Sequence, residues 1–370
     1  MSGEQDGRTR IWYLIGTLAV GGSERTLVDL VNGLDRDRFA PTVWTIAEAG
    51  PLADEVDGDV SLRSLGAANK ADPRPALRLA RALRRERPAV LQSFLYFDNV
   101  LARLVGVTSP GTTVVTGVRE VPESMPLRRD LVDRSTLRLS DHVVSNSMAG
   151  ADWVIDRGAD PEMVSVVRNG RDVDTYDVPE PAGLRESLGI GDGPVVGTVG
   201  RLVERKGHHD LLEAWPTVRT THPDAELVIV GDGPERESLR EHAEQRGIAP
   251  SVHLLGQREE VPELLALFDL FAFPSHYEGL PGALLEAMCA GLPIVTTPVD
   301  GCAELVTDGD HGVQVPPRDP DALGAAVALL LAADERATAL GDRAARRARD
   351  EFDIRVMVEE FESLYERISS

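Results

Sequence analysis

Four residues in the second half of the chain have the types and spacing to handle a charged, hydroxyl-bearing ligand. They are Arg201 and Lys206 in "GRLVERKG" (200–207), and Glu278 and Glu286 in "SHYEGLPGALLEAMCAGLPIV" (275–295). Two cations five residues apart on one loop can flank a diphosphate and stabilise it as a leaving group. Lys206 is one of only two lysines, with Lys70, among 39 basic residues. A compact ammonium with rotatable donors does what the broad arginine fork does not, which would explain a lysine kept there; chance survival is the competing reading. The glutamates form a Glu-x7-Glu spacing. Even along a continuous helix, eight steps rise about 12 Å, far beyond the roughly 5 to 5.5 Å between the carboxyl groups of a retaining glycosidase. That excludes a hydrolase pair. It suits one carboxylate on a sugar hydroxyl and one on a ribose, with the backbone of Gly279, Leu280, Pro281 and Gly282 turned to phosphate where a helix begins. Pro281 suits the first turn of that helix; a helix with two incidental glutamates is the bland alternative.

These residues need loops at strand ends to hold them. Short β-rich runs alternate with helical patterns throughout: 11–17, 42–46, 89–94, 112–118, 142–146 and 164–167, then 194–200, 226–231, 252–256, 270–275 and 293–297. The alternation predicts an α/β fold of two doubly wound, Rossmann-like parallel sheets, whose ligand crevices lie at the carboxyl ends of the strands. A Gly-, Pro- and Asp-rich stretch, 169–194, reads as a linker and puts a boundary near residue 180. The expected domains are 1–180 and 181–353, followed by a terminal helix at 354–368 with apolar residues at helical spacing. In the first half, "GTLAVGGSERTL" (16–27) gives a strand, Gly21-Gly22 and a helix capped by the Ser23 hydroxyl. This is either an anion-binding turn or a plain tight one.

The net charge of −22 argues against nucleic acid as a partner. It is uneven, with 22 basic and 27 acidic residues in 1–180 against 17 and 34 in 181–370. Acidity combined with arginine in place of lysine suggests a high-salt cytoplasm; full stability in dilute buffer would count against that. Cys289 and Cys302 read as buried small residues rather than a disulfide or zinc pair. No basic, apolar leader opens the sequence, and the richest apolar run, 323–333, is half a membrane span. A cytoplasmic protein is expected.

The ordered set "GGSER", "GRLVERKG", "GDGPERESL" and "SHYEGLPGALLEAMCAGLPIV" resembles the retaining glycosyltransferases of family 4, over nearly the whole chain. The resemblance implies a GT-B fold: two Rossmann-like domains with a cleft between them, acceptor in the first, nucleotide-sugar in the second, and a C-terminal helix returning to the first. It implies that Arg201 and Lys206 hold the donor diphosphate, with Gly200 in their loop. Glu278 would contact the transferred sugar and Glu286 the ribose. Gly256 and Gln257 would meet the base through main-chain groups, and Gly22 would lie against phosphate or acceptor. Same-face attack needs no protein nucleophile, no cofactor and no metal.

Many relatives carry a histidine after a strand of the first domain. Here "TGVRE" offers Arg119 and Glu120, which with Ser23 are the candidates for the acceptor or sugar side. Together with "SFLYFDNVLARLVG" (93–106), this stretch is similar to the branch that builds cell-surface and lipid-linked glycans. The expected partners are therefore a UDP- or GDP-linked sugar and a glycan or lipid-linked acceptor. Two rivals stay open: a sugar-nucleotide epimerase or glycan phosphorylase on a similar fold, and a catalytically silent binding protein. Five Asp-x-Asp triplets match a metal motif of another fold but are expected by chance in so acidic a chain. His208, His209 and His276 lack metal-ligand spacing. Finally, 74–87 forms a helix with Arg74, Arg78, Arg81 and Arg85 on one face, which suits either solvent or the anionic inner surface of the cell membrane.

Overall fold

The computed structural model describes residues 4–5, 7–69, 72–122 and 124–369, with side chains from residue 7 onward. The chain divides into two compact units, Met1–Gly170 with Ile354–Ser370, and Arg171–Asp353.

In the first unit β1 (Glu4–Gln5) pairs antiparallel with β2 (Arg8–Ile15), and the remaining strands are parallel. The chain continues through α1 (Gly22–Gly33), β3 (Phe39–Thr45), β4 (Ser61–Ser64), α2 (Arg74–Glu86) and β5 (Val90–Ser93). It goes on through α3 (Tyr96–Gly106), β6 (Thr113–Val118), α4 (Leu127–Leu137), β7 (His142–Ser145), α5 (Met148–Asp156) and β8 (Val164–Val166). The sheet order is β4-β3-β2-β5-β6-β7-β8. Successive side chains of a strand point to opposite faces, and both faces of β2 are apolar. Ile11, Tyr13 and Ile15 join one core with α1, while Trp12 and Leu14 join another with α2 and α3.

The second unit runs α6 (Leu184–Leu188), β9 (Val195–Val199), α7 (His208–Thr221), β10 (Glu226–Val230), α8 (Arg236–Gln245), β11 (Val252–Gly256) and α9 (Val261–Ala266). It continues with β12 (Leu270–Phe273), α10 (Gly282–Cys289), β13 (Ile294–Thr296), α11 (Asp300–Leu305), β14 (Val313–Gln314), α12 (Pro320–Leu331) and α13 (Asp334–Glu351). Its sheet, β11-β10-β9-β12-β13-β14, is wholly parallel. Val195 and Val196 likewise face opposite cores, one holding α10 and α13, the other α7 and α12. Both sheets are doubly wound, as the alternating pattern predicts. The chain ends in α14 (Ile354–Ser369), which packs Met357, Phe361 and Tyr365 into the α1 side of the first unit.

Four details differ from the sequence reading. The stretch expected as a linker belongs, from Arg171 onward, to the second unit, where Val173 is buried and Tyr176, Leu184 and Leu188 pack on its core. Helix α1 begins at Gly22 with Gly21 as its cap residue, so the Ser23 hydroxyl lies inside the helix and caps nothing. Pro281 is the residue before α10 rather than part of its first turn. Strand β4 was not expected, because its exposed "SLRS" side chains at the sheet edge leave no apolar run. Both cysteines are buried, and among the described residues no helix is long and apolar enough to cross a membrane. The apolar run at 323–333 lies largely in α12, with Leu323, Val327 and Leu330 in the core.

Candidate functional site

In a doubly wound sheet, the strand order reverses between two neighbouring strands, and the loops leaving their carboxyl ends diverge to leave a crevice. In the second unit that point lies between β9 and β12. Lys206 is on the loop after β9 and Glu278 on the loop after β12, so the topology brings together two of the residues singled out in the sequence. The first loop turns at Gly207, where φ is +68° and a Cβ would collide with the Pro274 carbonyl oxygen of the second loop. Glycine is needed there for both reasons.

Lys206 Nζ pairs with Glu278 Oε1, and Arg205 Nη1 lies 3.0 Å from Glu278 Oε2. Ser275 donates to Oε1 at 2.9 Å, and the Glu278 backbone N–H donates to Asp300 Oδ2 at 3.1 Å. The Lys206 ammonium also sits over the Phe273 ring, 4.8 Å from its centre. Glu278 is buried. Burial by itself would raise its pKa, yet the Lys206 and Arg205 charges and the bonds from Lys206 and Ser275 hold it below the ordinary glutamate value. His208, two residues after Lys206, is buried beside this cation; desolvation first and Lys206 second push it down to about 3, so it stays neutral. The other two histidines are hydrogen-bonding residues: His276 meets Asp210 at 2.8 Å, and His209 meets His242 at 2.9 Å.

Glu286 stands apart from this network. It lies on α10 and pairs through Oε1 with Arg171 Nε at 3.0 Å. A Cβ at Gly282 would collide with the same guanidinium. Gly279, Leu280 and Pro281 are buried, and no side chain caps α10. Arg201 is exposed, and its guanidinium has no hydrogen bond or ion pair among the described residues. Main-chain bonds join the neighbouring loops: Gly200 N–H to Val230 O, Leu202 N–H to Asp232 O, and Gly231 N–H to Gly256 O. Gly256 is left-handed, with φ of +75°, and Gln257 after it is exposed.

The corresponding point in the first unit lies between β2 and β5. Here Asp98, on α3, is buried and receives the backbone N–H groups of Leu95 and Gly16, while its Oδ2 has no partner among the described residues. Desolvation first, with a small push from the Glu24 charge, brings its pKa up to about 7. Further along the same sheet edge Arg119 is buried, donates from Nη1 to Asn169 Oδ1 at 3.0 Å and stacks on Phe94 at 4.6 Å. Its Nε and Nη2 have no partner among the described residues, and desolvation draws its pKa down to about 10. Glu120 and Gly22 are exposed and Ser23 is half-buried.

The first unit matches the family model described as glycosyltransferase family 4 over residues 20–175, and the second matches glycosyl transferases group 1 over residues 183–347. The chain belongs to glycosyltransferase family 4. Similar proteins include the GDP-mannose-dependent alpha-(1-6)-phosphatidylinositol monomannoside mannosyltransferase of Mycolicibacterium smegmatis, 40% identical over 186 residues, or 46% of this chain and 48% of that one. The lipopolysaccharide core biosynthesis glycosyltransferase LpsE of Rhizobium meliloti is 28% identical over 87% of this chain and 89% of its own. The match thus spans about half the length of the first relative and most of the second. A crystal structure of Anabaena HepE in complex with UDP and glucose superposes with a TM-score of 0.87 at 22% identity, covering 97% of this chain and all of that one. At that identity the likeness is one of fold, the two-unit GT-B fold.

Within this family 4 chain, three charged residues at the strand ends were not singled out by sequence: Arg205, Arg171 and Asp98. Arg205 adjoins Lys206 inside a quoted motif, but its partner is remote in the chain. Arg171, in "NGRDVD", looked like part of a linker. Asp98 follows an aromatic pair with nothing local to mark it as buried.

Proposed function

We propose that this chain transfers a sugar from a UDP- or GDP-linked donor to an acceptor hydroxyl, with retention at the anomeric carbon and without a metal ion, in cell-surface or lipid-linked glycan synthesis on the cytoplasmic side. The observation that carries this reading is the buried Glu278 held between Lys206 and Arg205 where the second sheet's order reverses. A donor diphosphate entering there gives the two cations a second set of anionic oxygens. They then stabilise the leaving group as a divalent ion would, in a site partly shielded from water. Glu278, its charge already compensated, can accept a hydroxyl of the transferred sugar. Arg201, exposed on the same loop, reaches the outer phosphate, and Glu286 takes the ribose. Gly200, Gly256 and Gln257 meet the nucleotide through main chain, and the uncapped start of α10 after Gly279, Leu280, Pro281 and Gly282 turns its N–H groups to phosphate.

The first unit takes the acceptor, with Gly22, Ser23, Arg119 and Glu120 on the acceptor or sugar side. The relatives' dependence on GDP-mannose in one case, and the UDP complex of HepE in another, support a nucleotide-linked donor and leave both bases in play.

Thermal-shift titration of the folded protein with UDP, GDP, ADP and their sugar conjugates, with and without EDTA, tests the proposal. The expected result is a rise in melting temperature with one nucleotide family, unchanged by EDTA and weakened by Lys206→Ala. No rise with any nucleotide in a folded sample would overturn it.

A further inference from the structure

Helix α4 is built inside out. Its buried positions are Asp133, Thr136 and Leu137, with Asp133 only 6% exposed. Its outward positions include Leu127, Leu131 and Val132, exposed by 81%, 67% and 41%. The burial of polar groups is explained within the fold. Arg103 of α3 donates to Asp133 Oδ1 at 2.7 Å, and Arg157, just after α5, pairs with Asp130 and lies 3.6 Å from Asp133 Oδ2. No contact among the described residues accounts for the apolar side. Leu127 and Leu131 are one turn apart on the same face, so their side chains form a continuous ridge.

Among the described residues, the exposed charges of this helix and its end are of one sign. Arg128, Arg129, Arg134 and Arg138 are exposed, whereas both acids of the helix are turned to the protein and paired. Arg129 reaches over the ring of Phe97 on α3 at 5.3 Å, and Phe97 is itself half exposed. A surface of aliphatic and aromatic side chains ringed by arginines, on a chain of net charge −22, complements an anionic bilayer: the apolar side chains enter the boundary of the acyl region while the guanidinium groups meet headgroup phosphates. Helix α2, the basic helix noted in the sequence, exposes one leucine, Leu77 at 56%, with Arg81 rather than an apolar residue one turn on, so it has no such ridge. Its Leu79, Ala82 and Leu83 lie in the core, and several of its arginines are engaged, Arg74 by Asp72, Arg78 by the Leu65 carbonyl and Arg85 by Glu86.

We infer that α4, with Phe97 beside it, is the surface by which the first unit docks on a membrane bearing anionic lipids. The inference is independent of the donor reading, because none of these side chains takes part in the proposed nucleotide site.

Co-sedimentation of the full chain with phosphatidylcholine vesicles, with and without phosphatidylglycerol, tests it. Binding is expected only to the anionic vesicles and should weaken with added salt. The exposed double variant Leu127→Ser/Leu131→Ser should reduce partitioning by about tenfold or more, and Arg128→Gln/Arg138→Gln by a smaller factor. A tryptophan at position 131, from Leu131→Trp, should shift its emission to the blue on the anionic vesicles alone. Three results would overturn the inference: no binding to anionic vesicles, binding abolished by Arg81→Gln/Arg84→Gln/Arg85→Gln on α2 but not by the α4 variants, or self-association in ultracentrifugation that Leu127→Ser/Leu131→Ser removes, which would give the face to a second copy. Nucleotide thermal shifts should be the same in every variant, so a failure here is separable from a failure of the donor site.

Discussion

The two sheets reverse their strand order in the same way and treat buried charge in opposite ways. At the carboxyl edge of the second, Glu278 is compensated by Lys206 and Arg205, and Glu286 by Arg171. At the edge of the first, among the described residues, the Arg119 guanidinium has two nitrogens without partners, the Asp98 carboxyl has one such oxygen, and burial drives both groups toward their neutral forms. Burying a charge is costly unless it is paired. The second unit therefore holds its charges ready and stable before a ligand arrives, whereas the first keeps polar atoms that a ligand would satisfy. This contrast is what the proposed donor site in the second unit and acceptor side in the first call for: charges compensated in advance in one, hydrogen bonding left for a substrate to complete in the other.

The largest test of the contrast is Glu278→Gln. Removing the carboxylate takes the counter-charge from the largely buried Lys206, and loss of one partner from a buried pair costs about 3 to 5 kcal/mol. Urea denaturation at neutral pH should show that loss; unchanged stability would mean that the pair is not a buried, compensated one. Next comes Lys206→Ala, expected to lower turnover by on the order of 10² to 10³ as removal of one charge-stabilising donor does. Single-turnover transfer assays on a variant with native circular dichroism would decide it, and undiminished turnover rules out the phosphate role.

Asp98→Asn should act through pH. The folded pKa of Asp98 is raised to about 7. The stability that the protonated group contributes is therefore complete below the unfolded value of about 4 and is lost as pH rises through 7, at roughly 1.4 kcal/mol per pH unit between them. Asparagine imitates the neutral form, so its variant should lack this slope and be more stable than the parent at pH 8 in parallel melts. A parent slope that persists in the variant would assign the titration elsewhere. The smallest expected change is that of Arg119→Met, which removes an unpaired buried charge and keeps its apolar stem: stability equal or raised by about 1 kcal/mol, with activity reduced. A variant destabilised by several kcal/mol would show that Arg119 is compensated after all, and the contrast between the sheets would fail.

Much of the architecture was legible in the sequence because parallel strands buried on both faces read as unbroken apolar runs, as in "IWYLIGT" and "ELVIVG". Strand β4 escaped because its exposed edge position needs no such run. The cap of α1 falls at Gly21, two residues before Ser23, because local capping preference favours the serine whereas the turn sets the helix going earlier. In the candidate site, Lys206, Glu278 and Glu286 were visible as residue types within motifs. Their partners were not. Arg205 and Glu278 are far apart in the chain, and their pairing follows from β9 and β12 being neighbours in a sheet where they are not consecutive.

By itself, then, the sequence determined the alternating parallel architecture, the terminal helix at Ile354–Ser369 and the motif residues that carry the family resemblance, since each is written in local periodicity or in contiguous residues. Only the tertiary structure decided which buried charges are compensated, that Asp98 and Arg119 are left partly unsatisfied, and that α4 turns Leu127 and Leu131 outward while α2 puts Leu79 and Leu83 in the core and exposes only Leu77. Those outcomes depend on what each side chain meets across the fold, and desolvation and charge pairing are properties of that meeting rather than of any one stretch of chain.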